Sequence, residues 1–112
     1  MGSTISRKAV DMSSPAAQFV KESIGSGRVV IFSKSSCPYC TMAKEQFKKL
    51  NFPTKVIELN QRNDGGEIQD VLGEMTGGRT VPRVFVDGNF IGGGTDVKQM
   101  YDNGKLKSLL GC

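Results

Sequence analysis

Two cysteines, Cys37 and Cys40, bracket Pro38 and Tyr39 in the stretch SKSSCPYCTMAKEQF, which runs from Ser33 to Phe47. Thiols at this spacing suit three chemistries: part of a metal clamp, a structural bridge, or a redox pair that cycles between dithiol and disulfide. A zinc site takes about four ligands. The chain has no histidine and one further cysteine, Cys112, at its far end, so no metal is expected. A bridge between residues this close in sequence closes too small a loop to add much stability. The redox pair is the reading that remains.

The elements around the pair bear on that chemistry. RVVIFS, residues 28–33, is a short apolar run best read as a buried strand. A helical pattern follows the motif to about Leu50, with Ala43, Phe47 and Leu50 inward and Lys44 and Lys48 outward. Cys37 then falls at or just before a helix N-terminus. Pro38 takes the first helical position, where its missing N–H wastes no donor. The N–H groups of Tyr39 and Cys40 can point at the Cys37 sulfur, and the helix end adds partial positive charge. Both favour thiolate over thiol. The dipole contributes only about 0.3–1 kcal/mol, so hydrogen bonds and nearby Lys34 must supply the larger share. Cys40, one turn on, should be more buried and less ionised. It would serve as the resolving thiol that closes a Cys37–Cys40 disulfide.

The rest of the chain supplies a scaffold. Residues 1–13 read as a loose tail and 14–112 as one domain. Ser14 and Pro15 open a helix that carries Ala17, Val20 and Ile24 on one stripe and stops at Gly25 and Gly27. TKVIELN is a second strand. Residues 66–76 form an amphipathic helix with Ile68, Val71, Leu72 and Met75 on one face. RVFVDGNFIGG signals a hairpin turning at Asp87-Gly88. A last helix begins near Thr95, with Val97, Met100 and Tyr101 inward, and Leu106, Leu109 and Leu110 extend it past a break near Gly104. The order α-β-α-β-α-β-β-α makes the first two strands parallel through a right-handed crossover and the last two antiparallel. The expected fold class is α/β, a four-stranded mixed sheet with helices on both faces.

Composition excludes several classes. Apolar residues make up 38% and charged residues 23% of 112 positions, which suits one packed domain. No run of about 18 apolar residues suggests a membrane span, and MGSTISRKAV lacks a secretory hydrophobic region. An odd cysteine count argues against a secreted, bridge-stapled scaffold, so a reducing, cytoplasmic setting is expected. The net charge of +4 mildly favours anionic partners but is too scattered for nucleic acid.

At this point the sequence resembles a dithiol glutaredoxin of the thioredoxin-fold superfamily. Three separated motifs carry the likeness over roughly residues 15–110: CPYC at 37–40, TVP at 80–82 and GGTD at 93–96. Thioredoxin itself carries a Trp before its motif and Gly-Pro within it; this chain has Ser36 there and no Trp. The resemblance implies that glutathione is the co-substrate and that glutathionylated proteins are partners. Pro82 would be a cis proline beside Cys37, freeing the Val81 backbone, after Thr80, to pair with glutathione's cysteine portion. Backbone N–H groups after Gly94, at Thr95 and Asp96, would take the γ-glutamyl carboxylate, and the Asp96 side chain the ammonium. Lys34, Gln69 and Arg79 match positions that hold the glycine carboxylate, and Tyr39 would line the same groove.

The implied reaction reduces protein–glutathione mixed disulfides. The Cys37 thiolate attacks the glutathione sulfur and releases the protein thiol, and a second glutathione regenerates Cys37. Cys40 would be needed only when a protein disulfide is reduced directly. The alternative is a carrier in which two subunits share a [2Fe–2S] cluster with two glutathiones; Pro38, which stiffens the loop, disfavours it. A monomer is expected. Gly2 heads a pattern that fits N-myristoylation, with Ser6 in place, and membrane attachment is expected only if Gly2 is acylated. Cys112 is too close to the end for a prenylation box and is expected to be an exposed thiol.

Overall fold

The computed structural model describes residues 9–112; Gly2 and its acylation pattern lie outside them. Helix α1 (Pro15–Ile24) starts where Ser14 Oγ accepts the Ala17 N–H at 3.1 Å. Strand β1 (Val29–Ser33) is buried at every position. It pairs parallel with β2 (Lys55–Glu58) and antiparallel with β3 (Arg83–Val86). Strand β4 (Asn89–Gly92) completes the order β2-β1-β3-β4. The four-stranded mixed sheet expected from the sequence is thus present. Asp87 (φ 51°) and Gly88 (φ 82°) both lie in the left-handed region, as a two-residue type I′ hairpin turn requires.

The two-residue period of β1 divides the core. Val30 and Phe32 pack under α1 and α3 (Gly65–Thr76), with Ile68, Val71 and Leu72. Val29 and Ile31 point to the other face, under α2 (Pro38–Lys49), α4 (Gly94–Asp102) and α5 (Lys105–Leu110). Phe32 meets Phe85 edge-on at 5.8 Å between ring centres. Burying such a side chain is worth about 1.5–3 kcal/mol, so both layers hold firmly to the central strands. Among the described residues no helix is long and apolar enough to cross a membrane.

Several details differ from the sequence reading. β2 ends at Glu58, and residues Leu59–Gln61 tighten into a 3₁₀ turn rather than continuing the strand. Lys44, expected outward, is half-buried and its Nζ lies 2.7 Å from Glu58 Oε2, tying α2 to β2. Met75 lies on the expected stripe of α3 but is 38% exposed. Helical period gives a side chain's direction only, and burial needs an element opposite it. The break expected near Gly104 (φ 82°) is present and divides the C-terminal pattern into two helices, α4 and α5.

Candidate active site

The site forms where β1 hands over to α2. Cys37 is the N-cap of α2, with extended backbone (φ −90°, ψ 118°), and Pro38 opens the helix. The Cys37 sulfur accepts the Cys40 N–H at 3.3 Å. Of the two donors expected there, Tyr39 and Cys40, the structure shows the one from Cys40. On the other side Cys37 Sγ lies 3.8 Å from the Val81 carbonyl oxygen, and the Val81–Pro82 peptide is cis. Residues 80–82 are therefore brought to the nucleophile, although more than 40 positions of chain separate them.

Cys40 differs sharply from Cys37. It has no exposed surface, whereas Cys37 is half-exposed. Its sulfur accepts the Lys34 N–H at 3.4 Å. Burial pushes the Cys40 thiol up from its ordinary range, and the hydrogen bond with Cys37 adds to the shift. An accessible sulfur capped by a helix beside a buried, protonated one is the asymmetry that a nucleophile and a resolving thiol require.

The N-terminus of α4 closes the site from a third side. Gly94 is buried against the first turn of α2; a β-carbon there would lie 2.5 Å from the Tyr39 carbonyl oxygen. Asp96 Oδ2 accepts the Gly93 N–H at 2.9 Å, so its side chain caps the helix it belongs to. Thr95 is exposed in the same first turn, and Tyr39 is 56% exposed beside it. Two helix N-termini, from α2 and α4, thus meet at Tyr39, two residues from Cys37, and both favour negative charge.

Gln69 and Arg79 meet each other rather than standing free. Gln69 Nε2 donates to the Arg79 carbonyl at 2.9 Å. The Arg79 guanidinium donates to Asp70 Oδ1 at 2.7 Å in a pair more than half exposed. Such a pair contributes little, so an anionic ligand can compete for the guanidinium. Thr80 accepts two hydrogen bonds from Arg83, at its carbonyl and at its hydroxyl. Lys34 is half-buried in the loop between β1 and Cys37. That loop is held by Asn60, which the strand pattern TKVIELN does not single out: its Oδ1 accepts the Ser35 N–H at 3.0 Å and its Nδ2 donates to Ser35 Oγ at 2.7 Å. No local signal marks Asn60, because its partner lies 25 positions away.

Comparison with known proteins gives this geometry a family. The glutaredoxin family model matches residues 29–91, which span β1 to β4 and include both cysteines and Pro82. The chain belongs to the glutaredoxin family. Among its relatives, glutaredoxin-C4 of Arabidopsis thaliana is 52% identical over 99 residues, covering 88% of this chain and 73% of the relative. The crystal structure of wheat glutaredoxin superposes with a TM-score of 0.84 at 45% identity, over 88% of this chain and 93% of that one. A buckwheat glutaredoxin–glutathione complex superposes with a TM-score of 0.82 at 41% identity, over 86% and 87%. This glutaredoxin is accordingly a thiol–disulfide oxidoreductase with a thioredoxin-like fold.

Proposed function

We propose that this glutaredoxin uses glutathione to reduce protein–glutathione mixed disulfides and, with both thiols, protein disulfides. One observation carries the reading: the half-exposed Cys37 sulfur caps α2, while Cys40 lies buried and protonated one turn behind it. The Cys37 thiolate attacks the glutathione sulfur of the mixed disulfide, and the protein thiol leaves. Glutathione's cysteine portion lies along the Val81 backbone beside Pro82. Its γ-glutamyl carboxylate meets the first turn of α4 at Gly94, Thr95 and Asp96, and its ammonium meets the Asp96 carboxylate. Its glycine carboxylate competes with Asp70 for Arg79, assisted by Lys34 and Gln69, and Tyr39 covers the groove. The buckwheat glutaredoxin–glutathione complex, alike in fold over most of its length, supports glutathione as the ligand.

The test is a glutathione-coupled assay on a mixed disulfide of glutathione and a small thiol, run on wild type, Cys37→Ser and Cys40→Ser. The expected pattern is an inactive Cys37→Ser and an active Cys40→Ser. A wild type that ignores glutathione, or an active Cys37→Ser, refutes the proposal.

A further inference from the structure

Ser33 ends β1 and shares its side with Val29 and Ile31, the face covered by α2. It has no exposed surface, yet its hydroxyl has no hydrogen-bond partner. An orphaned buried hydroxyl costs about 1–3 kcal/mol, so it calls for a reason. The element above it carries Cys40, and the residue after it, Lys34, already donates its N–H to the Cys40 sulfur at 3.4 Å. Ser33 is also among the groups that favour the ionised form of Cys40 against burial, although its hydroxyl makes no hydrogen bond to that sulfur in this structure. A hydroxyl without an acceptor while Cys40 is a thiol gains one when Cys40 becomes a thiolate. Rotation about χ1 moves that hydroxyl without moving the backbone.

We infer that Ser33 is a positioning residue for the resolving step: its Oγ–H donates to the Cys40 sulfur as that sulfur loses its proton and attacks Cys37. In that step the Cys40 thiol gives its proton to solvent and its sulfur bonds to Cys37 Sγ. The mixed-disulfide bond on Cys37 breaks and the outgoing thiolate carries away the electron pair. The Cys40 sulfur is oxidised from thiol to disulfide level, the departing sulfur is reduced from disulfide to thiolate, and Cys37 stays at the disulfide level throughout. Ser33 exchanges no proton; it stabilises the charge that appears in the buried pocket. The first attack, by Cys37, leaves Cys40 protonated and does not use the hydroxyl.

The inference rests on Cys40 being the resolving thiol but not on glutathione as the ligand, and a small aromatic disulfide separates the two. Reaction with the reduced chain releases coloured thiol twice: once when Cys37 attacks, at a rate set by reagent concentration, and once when Cys40 closes the ring, at a rate independent of it. Both phases are read in a Cys112→Ser background, because the exposed Cys112 also reacts with such a reagent. Ser33→Ala is expected to slow the second phase about tenfold, the size of one charge-assisted hydrogen bond, and to move its pH midpoint upward. The first phase should change far less. Ser33→Thr, which restores a hydroxyl, should recover the pH midpoint even where its extra methyl lowers stability. A second phase unchanged in rate and midpoint overturns the inference, and so does an equal slowing of both phases. A glutathione assay that fails while the two-phase pattern holds would refute the glutathione reading and leave Ser33 in place.

Discussion

Gly94 is where the two helix N-termini of the site touch, and replacing it with alanine should damage the site more than the fold. A β-carbon at Gly94 would lie 2.5 Å from the Tyr39 carbonyl oxygen and 3.1 Å from both its carbonyl carbon and its Cβ. The nearest obstacle is backbone in the first turn of α2, so no side-chain rotation relieves it. The first turn of α4 must retreat from Tyr39 and the first turn of α2. Overpacking of this kind costs about 1–3 kcal/mol. At roughly 4 °C per kcal/mol for a chain of this length, the thermal midpoint should fall by about 4–12 °C. The retreat also moves the Thr95 and Asp96 N–H groups, so KM for a glutathione mixed disulfide should rise several-fold. Val20→Ala is the matched comparison. Val20 is fully buried on the opposite face of the sheet, and losing two methyl-sized groups there costs about 1.6 kcal/mol before any cavity. It should lower the midpoint similarly and leave KM alone. A wild-type midpoint and KM for Gly94→Ala would refute the close-contact argument. An equal rise in KM for Val20→Ala would refute its localisation to the helix junction.

Three further outcomes follow from single contacts. Burial holds the Cys40 thiol protonated in the folded chain, while the unfolded chain loses that proton above about pH 8.5. Stability is therefore complete below that pH and falls as pH rises toward the raised folded value; Cys40→Ala should flatten this alkaline fall in urea midpoints, and an unchanged slope would count against the burial effect. Ser14→Ala removes the cap on the Ala17 N–H and should cost about 1 kcal/mol with no change in activity, read by thermal unfolding. Asp96→Asn keeps an acceptor for the Gly93 N–H but removes a charge, so KM for the glutathione substrate should rise with kcat nearly unchanged. A matching loss in kcat would place Asp96 in the chemistry instead.

What the sequence discloses of this site depends on how far each contact reaches along the chain. Cys37, Pro38 and Cys40 are legible because a capping side chain, a first-turn proline and an N–H at the third helical position all act within one turn. Even there the local rule leaves two donors open. A cap can take its bond from the second or third helical position, and the sulfur of Cys37 takes the third, from Cys40. Pro82 and Gly94 are punctuation in the sequence. They become parts of a site through the TVP and GGTD motifs, since no periodicity says that residue 94 must touch residue 39. Ser33 and Asn60 lie beyond both kinds of signal. Each is a small polar residue at the end of a strand pattern, where a turn is the ordinary reading. What distinguishes them is what the fold does with them: Asn60 holds the Ser35 loop, and Ser33 is left buried under α2 with its hydroxyl unpaired. The parity of β1 could have placed Ser33 under α2 in advance, because Val29 and Ile31 point the same way. A polar residue in phase with a buried apolar face costs stability unless something meets it. On that ground the strand position itself marks Ser33 as a buried polar residue in need of a partner, while which group could serve as that partner is legible only once α2 is laid over β1.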